Sequence, residues 1–318
     1  LPFLFIALTI LTACSPRTGP AAVPNSLSGH LLFTQRESLW TWALPNGEQQ
    51  EIVPAPKIGQ QITSARWSPD GTQVTYALFD SSDPRNAVSQ VFLASPNGQD
   101  VRVILPAAQP LDFYQSPAWS PDGKSIYAMH SGGSGQQRIN RIVQMSVATG
   151  DIETIADDIG FFDVSGDGRW LAMARSAAGG LSLDLLDLHT REWHTLLATG
   201  QFDNISAPRF DPTSTNLLFG GTVGARTAST SAESPLALGT TVAEAHGLPQ
   251  DLYVIPIAGG QPKQVAALQA DDPALSWSPD GQSVVVLWID SISVILASGG
   301  QPTRILTPGS YGSVDWSR

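Results

Sequence analysis

The sequence predicts an all-β protein: a six-bladed β-propeller of four-stranded antiparallel blades, closed by joining the N- and C-terminal strands in one blade. Three observations indicate this fold class. The pentapeptide Trp-Ser-Pro-Asp-Gly occurs intact three times, starting at Trp67, Trp119 and Trp277. Incomplete copies of the same unit stand near both ends of the chain. The 29 glycines and 24 prolines suit a protein with many turns.

Three weaker copies complete the repeat. Two of them begin at Val164 and Phe210, and the last, Trp316-Ser317-Arg318, is cut short by the end of the chain. The first residues of successive copies lie between 39 (316−277) and 67 (277−210) positions apart. Because propeller blades are repeats of about 40 to 50 residues, the copies indicate six blades.

Each pentapeptide is predicted to form a tight turn between two antiparallel strands. In the first copy Ser68 opens a type I turn, and Pro69 fixes φ at the next position. Gly71 takes the left-handed conformation that returns the chain as a bulged hairpin, and the run 72–76 forms the second strand. We expect Trp67 to end the first strand and pack between neighbouring sheets; contact with a ligand is the alternative.

The two ends of the chain are predicted to share the first blade. Residues 30–53 hold strand-like runs that match the strands after the pentapeptide in later copies, but they lack the first strand. Residues 313–316 supply a first strand without the rest. Joining them completes one four-stranded sheet, which is how a propeller leaves only short, protected edges.

The other five blades take four strands each, in chain order. The predicted strands are 65–67, 74–78, 91–93 and 101–105 in the second blade; 117–119, 126–129, 141–145 and 152–155 in the third; 162–164, 170–174, 181–186 and 193–197 in the fourth; 209–210, 216–219, 252–255 and 264–265 in the fifth; and 275–277, 283–288, 293–296 and 303–306 in the sixth.

One insertion lengthens the fifth blade. Residues 222–250 lie between its second and third strands and are dominated by Ala, Ser, Thr and Gly, with room for one or two helical turns at 241–246. A disordered segment and a flap over one face of the propeller are both open interpretations.

The N-terminal residues are typical of a bacterial lipoprotein. Residues 1–14 form an apolar run that ends in Leu11-Thr12-Ala13-Cys14, which resembles a lipobox in which the cysteine is lipidated. The run is too short to cross a membrane. It starts without Met or a basic n-region, so we expect further residues before Leu1. Residues 15–28, rich in Pro, Ala and Ser, form a flexible tether, and 29–318 form the propeller. An incidental buried thiol is the alternative for Cys14.

Composition limits the classes of partner. The formal net charge of −11 argues against nucleic acid and against peripheral binding to anionic lipid. The hydrophobic share of 42% and charged share of 14% indicate a globular protein. A single cysteine excludes a disulfide framework and a cysteine-based zinc site within one chain.

The pentapeptide repeats at this spacing resemble the TolB-type six-bladed propeller repeats, which also occur in the propellers of some prolyl peptidases. The resemblance covers roughly residues 29–318. It implies the propeller fold and leaves the function open, because the same repeat serves different activities.

The sequence indicates no catalytic residue, no metal site and no cofactor. Residues 132–135 lack the spacing of a nucleophile elbow, and the glycine pairs 259–260 and 299–300 fit hairpin turns. The five histidines are scattered without ligand spacing. The acidic pairs 157–158 and 271–272 could hold a cation, and solvated turn carboxylates are the favoured interpretation.

Propeller geometry places any binding site at one mouth of the central channel. The loops that enter the innermost strands, and those that join second to third strands, converge there, and their aromatic and amide side chains suit a peptide or a carbohydrate. Filling of gaps between blades is the alternative for the aromatic residues. The candidates are Arg85, Asp112, Phe113, Tyr114, Gln115, His130, Phe161, Phe202, Asp203, Asn204 and Tyr311, beside Asp80 and Phe162.

Two functions remain open from the sequence. The first is a lipid-anchored extracytoplasmic module, periplasmic or at the cell surface, which binds or scaffolds an envelope protein or peptide. The second is a hydrolase or lyase, or a carbohydrate-binding protein, with its site at the channel mouth. Convergence of histidines and carboxylates in the channel would favour an enzyme, and an aromatic, uncharged mouth would favour binding.

Overall fold

The computed structural model describes residues 24, 26–133, 139–158, 160–224, 249–307, 309 and 311–317. Within them the chain forms six four-stranded antiparallel blades, which confirms the predicted fold class. Cys14 and its lipobox, most of the tether, and residues 225–248 of the insertion lie outside the described residues.

The strands follow the predicted order, and we number the blades 1 to 6 from the N-terminus. Blade 1 contains β1 (Gly29–Gln35), β2 (Ser38–Leu44) and β3 (Gln49–Val53); blade 2 contains β4 (Gln60–Trp67), β5 (Val74–Asp80), β6 (Val88–Ala94) and β7 (Arg102–Leu105); blade 3 contains β8 (Asp112–Trp119), β9 (Ser125–Gly132), β10 (Ile139–Ser146) and β11 (Ile152–Ala156). Blade 4 contains β12 (Phe162–Val164), β13 (Trp170–Ala177), β14 (Gly180–Asp187) and β15 (Trp193–Leu197); blade 5 contains β16 (Asn204–Phe210), β17 (Asn216–Thr222), β18 (Gln250–Pro256) and β19 (Lys263–Ala270); blade 6 contains β20 (Ala274–Trp277), β21 (Ser283–Trp288), β22 (Ser291–Leu296) and β23 (Thr303–Leu306). The last strand is β24 (Val314–Ser317).

The chain ends meet in blade 1, as the sequence predicts. Strand β24 pairs antiparallel with β1, so that Leu31 lies opposite Trp316, and the sheet order is β24-β1-β2-β3. The innermost strands β4, β8, β12, β16, β20 and β24 contact one another in a closed ring. A single parallel bridge between Ser89 and Phe113 links the sheets of blades 2 and 3.

The hydrophobic core lies between blades. Trp67 packs with Leu32 and Leu39 of blade 1, and Trp316 packs with Val285 and Leu287 of blade 6. Each of these tryptophans is therefore buried against the preceding blade, which is the scaffold role expected for the first residue of the repeat.

The repeated turn has a common hydrogen-bond pattern. The Ser68 hydroxyl donates to Asp70 at 2.6 Å and accepts from the backbone N–H of Gln73 at 2.9 Å, while Gly71 has φ +70°. The hydrogen bond from Ser68 is the main cause that lowers the pKa of Asp70. In the copy that starts at Phe210, Asp211 replaces the serine and accepts from the Asn216 N–H at 3.2 Å. A local network can therefore hold the turn with a different side chain.

Several strands are longer than the sequence predicts. The segment Asp112–Gln115, predicted to be a loop, lies within β8, and Asn204 begins β16. His130 lies inside β9, and Asp80 ends β5. Strand β8 continues through Pro117 because a bulge between Gln115 and Ala118 takes the proline out of the regular ladder.

Helical structure is limited to one short 3₁₀ turn, Pro84–Asn86, in the part of the chain that the structure describes. No helix there is long and apolar enough to span a bilayer.

Candidate functional site

The central channel holds two cavities, and all six blades contribute to each. One cavity, of about 520 Å³, opens where the chain enters the innermost strands; we call this end the loop face. The other, of about 420 Å³, opens at the Trp-Ser-Pro-Asp-Gly turns; we call this end the turn face. Arg66 and Arg209 line both cavities and so mark the narrow part between them.

The charged residues of the channel all hold the same position in their copies of the repeat, and we call the set of six residues at this position the charged column. The residue just before the first residue of each copy points to the centre of the ring, and these six residues are Arg66, Ala118, Asp163, Arg209, Ser276 and Asp315. In a six-fold arrangement the two arginines face each other across the channel, and so do the two aspartates. Two cations and two carboxylates are thus gathered from four blades.

The aspartates of this column hold neighbouring inner strands together. Asp315 accepts a hydrogen bond from the backbone N–H of Trp67 at 2.8 Å, and Asp163 accepts one from Phe210 at 2.9 Å. In both pairs the carboxylate and the N–H belong to successive blades of the ring. Backbone donors in the narrow channel are satisfied in this way.

The two arginines are held differently. Arg66 forms an ion pair with Asp315, with 3.2 Å between Nη1 and Oδ1, and its Nη2 lies 3.9 Å from Asp163. Arg209 instead donates from Nε to the carbonyl of Leu275 at 3.0 Å and from Nη1 to that of Pro208 at 2.8 Å. No carboxylate of the described residues lies within 4.0 Å of the Arg209 guanidinium.

Burial shifts the protonation equilibria of this cluster. Desolvation in the channel, together with repulsion from Arg66, lowers the pKa of Arg209 to about 9. Desolvation also raises the pKa of Asp163, against the opposing effect of the two arginines. Burial therefore disfavours charge at both of these side chains.

The inner strands are bulged where they line the loop-face cavity. Pairing slips between Ile62 and Ser64 in β4, and corresponding slips occur in β8 and β16. Ser116 and Ala207, each three residues before the first residue of its repeat copy, have φ of +52° and +46° and line the cavity. Such bulges redirect side chains near binding sites, and here they shape the wider half of the channel.

The cavity wall combines aromatic and proline side chains with polar ones. Phe161, Phe162 and Tyr311 line it together with Pro117 and Pro273. The Tyr311 hydroxyl donates to Asp271 at 3.0 Å, and burial followed by this hydrogen bond raises the pKa of Tyr311. Aromatic side chains beside converging polar groups are features that ligand pockets share.

Of the candidate residues from the sequence, Phe161 and Tyr311 line the loop-face cavity, as does the neighbouring Phe162. Asp112, Tyr114 and His130 are gathered elsewhere, inside blade 3, where all three are buried. The His130 Nε2 lies 2.6 Å from Asp112 Oδ1, and its ring stacks on Tyr114 with centroids 4.1 Å apart.

The His130 ring has both nitrogens engaged. Arg141 donates from Nε to His130 Nδ1 at 3.1 Å, so Nδ1 is the acceptor and Nε2 carries the proton given to Asp112. Asp112 also accepts from the backbone N–H of Ala108 at 2.9 Å. With these partners the pair resembles a catalytic dyad in composition only; its contacts join the first three strands of blade 3.

The remaining candidates are dispersed. Phe113 packs near Phe79, with ring centroids 6.1 Å apart, and Phe202 packs edge-on against Phe219 in the core between blades 4 and 5. Gln115, Asp203 and Asn204 are half-buried along or beside the inner strands, and Arg85 is exposed in the 3₁₀ turn.

Sequence reasoning missed the charged column of the channel. Its signal is present in the sequence, since the residue before each repeat copy can be read as soon as the copies are aligned. Among the described residues, no group of three or more His, Cys, Asp or Glu side chains comes together as metal ligands do.

No family model matches this chain, and no curated protein matches it. Solved structures do. TolB from Acinetobacter baumannii superposes with a TM-score of 0.64 at 16% identity, over 93% of this chain and 68% of that one. A putative TolB from Agrobacterium tumefaciens gives 0.53 at 17% identity, over 86% and 89%. Kuenenia stuttgartiensis hydrazine synthase gives 0.53 at 16%, over 89% and 79%. At these identities the likeness establishes the TolB-like propeller fold.

Proposed function

We propose that this protein is a lipid-anchored, extracytoplasmic β-propeller that binds a protein of the cell envelope through its loop face. The lipobox-like sequence that ends at Cys14 supports the location, because lipidation of such a cysteine follows export. The propeller supports a binding role, since a closed ring of blades is a rigid platform on which loops carry recognition.

The observation that carries the proposal is a set of exposed apolar side chains at the loop face. Five loops or turns on this face each present one large apolar residue to solvent, namely Ile58, Leu111, Phe161, Val223 and Ile289. The exposed fraction reaches 99% for Ile58 and 53% for Phe161. The other exposed large apolar residues lie on or beside outer strands, at Val101, Val103, Ile152 and Leu296.

These side chains suit a protein partner. A single exposed apolar residue is ordinary, but several arranged around one mouth are typical of an interaction surface. The turn face presents the Ser-Pro-Asp-Gly turns instead, whose carboxylates Asp70 and Asp122 are exposed and hydrogen-bonded to their own turns. The two faces therefore differ in chemistry, and the loop face is the one suited to apolar contact.

Capture of partners with surface variants tests the proposal. Ile58→Ser combined with Ile289→Ser removes two apolar side chains that lie outside the channel cavity. We expect cross-linking in envelope membranes, followed by mass spectrometry, to recover a protein with the wild type and at least tenfold less with this variant. Val103→Ser combined with Ile152→Ser removes exposed apolar residues of outer strands and is the matched control. Equal recovery with both variants would contradict binding at the loop face.

The anchor has a separate test. Cys14 is the only cysteine of the chain, so Cys14→Ser removes the lipidation site without affecting any disulfide. We expect the wild type to incorporate a labelled fatty acid and to sediment with membranes, and the variant to do neither. Ser15→Ala, at the next position, is the control and should behave like the wild type.

A further inference from the structure

The inner end of the loop-face cavity, at the narrow part of the channel, is cationic; we call this end the floor. Arg66 and Arg209 line this cavity, whereas Asp163 and Asp315 line only the cavity of the turn face. A ligand that enters from the loop face therefore meets two guanidinium groups before any carboxylate of the charged column. Asp272, on the wall, is the one acidic residue among the described residues that line this cavity.

Arg209 is the arginine of the channel that forms no direct ion pair within the described residues. Its hydrogen bonds to the Leu275 and Pro208 carbonyls fix the plane of the group and use two of its five N–H donors. Asp163 and Asp315 stabilise its charge from beyond ion-pair distance, and they offset the cost of its burial only in part. Three N–H donors of the guanidinium therefore remain for an acceptor in the cavity.

A second polar group in the cavity also lacks a partner. Thr63 Oγ1 is buried and makes no hydrogen bond within the described structure, and Thr63 lines the cavity. Buried hydroxyl groups are nearly always hydrogen-bonded. A ligand that accepts from Arg209 and from Thr63 would satisfy both groups.

The charge of the floor selects a monoanion. The described residues that line this cavity include two arginines and one acidic residue, Asp272, so their formal charge is +1 (2 − 1). One carboxylate matches that balance, whereas a dianion such as a phosphate monoester would bring a second charge to desolvate. A planar carboxylate can also accept two parallel hydrogen bonds from the edge of a guanidinium.

The side chains of the cavity wall indicate what kind of molecule bears the carboxylate. Phe161, Phe162 and Tyr311 give the cavity an aromatic side, and its volume of about 520 Å³ is within the range of pockets that enclose a small ligand or a chain end. Phe161 also belongs to the apolar set of the loop face, so the cavity is continuous with the proposed protein-binding surface.

We propose that the loop-face cavity receives the carboxylate of an extended peptide segment, with Arg209 as its ionic partner and an apolar side chain of the same segment against Phe161 and Tyr311. This inference rests on the proposed function, since it specifies which part of a protein partner enters the channel. The carboxylate can be a chain terminus or an acidic side chain, and these two sources share the same chemistry.

Calorimetry with three synthetic peptides tests the inference on the full chain. The probes are acetyl-Ala-Phe-Ala-Phe with a free terminal carboxylate, the same peptide as its amide, and the amide acetyl-Ala-Asp-Ala-Phe-amide. We expect at least one carboxylate-bearing peptide to bind tenfold or more tightly than the uncharged amide. Preference for the first indicates a chain terminus, and preference for the third indicates an acidic side chain. Equal or absent binding of all three overturns the proposal.

Variants place the effect at Arg209. Arg209→Gln keeps hydrogen-bond donors and removes the charge, so it should abolish the difference between carboxylate and amide. Arg304→Gln removes an exposed arginine of β23 and should leave the difference unchanged. If Arg209→Gln does not fold, Arg209→Lys keeps the charge without the planar group and should reduce the preference, as should Thr63→Val. A preference that survives in every folded channel variant overturns the assignment.

The test of the carboxylate pocket can fail independently of the test of the proposed function. The variant of Ile58 and Ile289 leaves the cavity intact, and Arg209→Gln leaves those apolar side chains intact. We expect the first variant to lose partner capture and to keep the peptide selectivity; capture that persists in it would contradict only the proposed function. Selectivity that persists in Arg209→Gln would contradict only the assignment of the carboxylate to Arg209, whether or not that variant still captures the partner.

Discussion

The carboxylate of Asp315 accepts a hydrogen bond from the backbone N–H of Trp67 at 2.8 Å, across the boundary between blades 1 and 2. The same carboxylate forms the ion pair with Arg66 at 3.2 Å. Asp315 belongs to β24, the strand that closes the ring, so this contact fastens the closing blade to the next one. Closure of the propeller therefore depends on a side chain as well as on strand pairing.

Removal of this carboxylate should destabilise the whole ring. Asp315→Ala leaves the Trp67 N–H and the Arg66 guanidinium without their acceptor in the channel. Loss of a buried acceptor that serves a backbone donor and a charged donor costs about 2 to 3 kcal/mol. Urea unfolding should show this decrease in the free energy of unfolding. Glu51→Ala, an exposed residue on another strand of blade 1, should change it by less than about 0.5 kcal/mol; an equal loss in both would contradict the role of Asp315.

Replacement of glycine by alanine should lower the stability by different amounts at two turns. Gly123 has φ +68° with no atom within 4 Å of an added Cβ, so Gly123→Ala costs only the left-handed conformation, about 1 kcal/mol. Gly98 has φ +75°, and an added Cβ would collide with the carbonyl oxygen of Ile52 in the neighbouring blade. Gly98→Ala should therefore lower the melting temperature much more than Gly123→Ala does. Similar losses would show that the contact with Ile52 is easily relieved.

The difference between these turns illustrates what the sequence could and could not predict. A type I turn closed by glycine is a local structure, so each pentapeptide predicted its own hairpin, and six copies predicted the ring. The contact between Gly98 and Ile52 joins blades 1 and 2, and no local pattern contains it.

The charged column was predictable in part. Arg66 and Asp315 are 249 residues apart in sequence, yet they hold the same position in successive copies of a closed ring, so their approach can be inferred once the copies are aligned. The bulges at Ser116 and Ala207 have no such signal, because both are ordinary residues that tertiary packing holds at positive φ. The cluster of Asp112 with His130 depends on the register of β8 and β9, which the sequence does not predict because its strand pattern places the start of β8 later.

Removing the acceptor of the buried His130 should lower the stability of the protein without changing peptide binding. Asp112→Ala removes both carboxylate oxygens, of which Oδ1 accepts from His130 Nε2 and Oδ2 accepts from the Ala108 N–H, inside a blade and outside the channel cavity. We expect the free energy of unfolding to fall by about 2 kcal/mol, measured by urea titration. The preference of the channel for a carboxylate peptide should be unchanged at a temperature where the variant is folded. A lost preference would mean that blade 3 contributes to recognition.

Asp187 should give the protein a measurable loss of stability in acid. Backbone N–H groups of Thr190 and His189, at 3.0 and 2.9 Å, and the Arg169 Nε at 3.1 Å, hold the pKa of Asp187 down to about 2. A carboxyl whose pKa is lower in the folded than in the unfolded protein stabilises the fold above its unfolded value, near 4, and loses that contribution as pH falls towards 2. Asp187→Asn should therefore be less stable than the wild type at pH 7, and the difference between their urea midpoints should narrow between pH 4 and pH 2. Asp151→Asn, in the equivalent turn of blade 3, where the carboxylate accepts from Thr149 at 2.6 Å, is the comparison. A constant difference between wild type and Asp187→Asn across that range would show that hydrogen bonding of Asp187 does not depend on its charge.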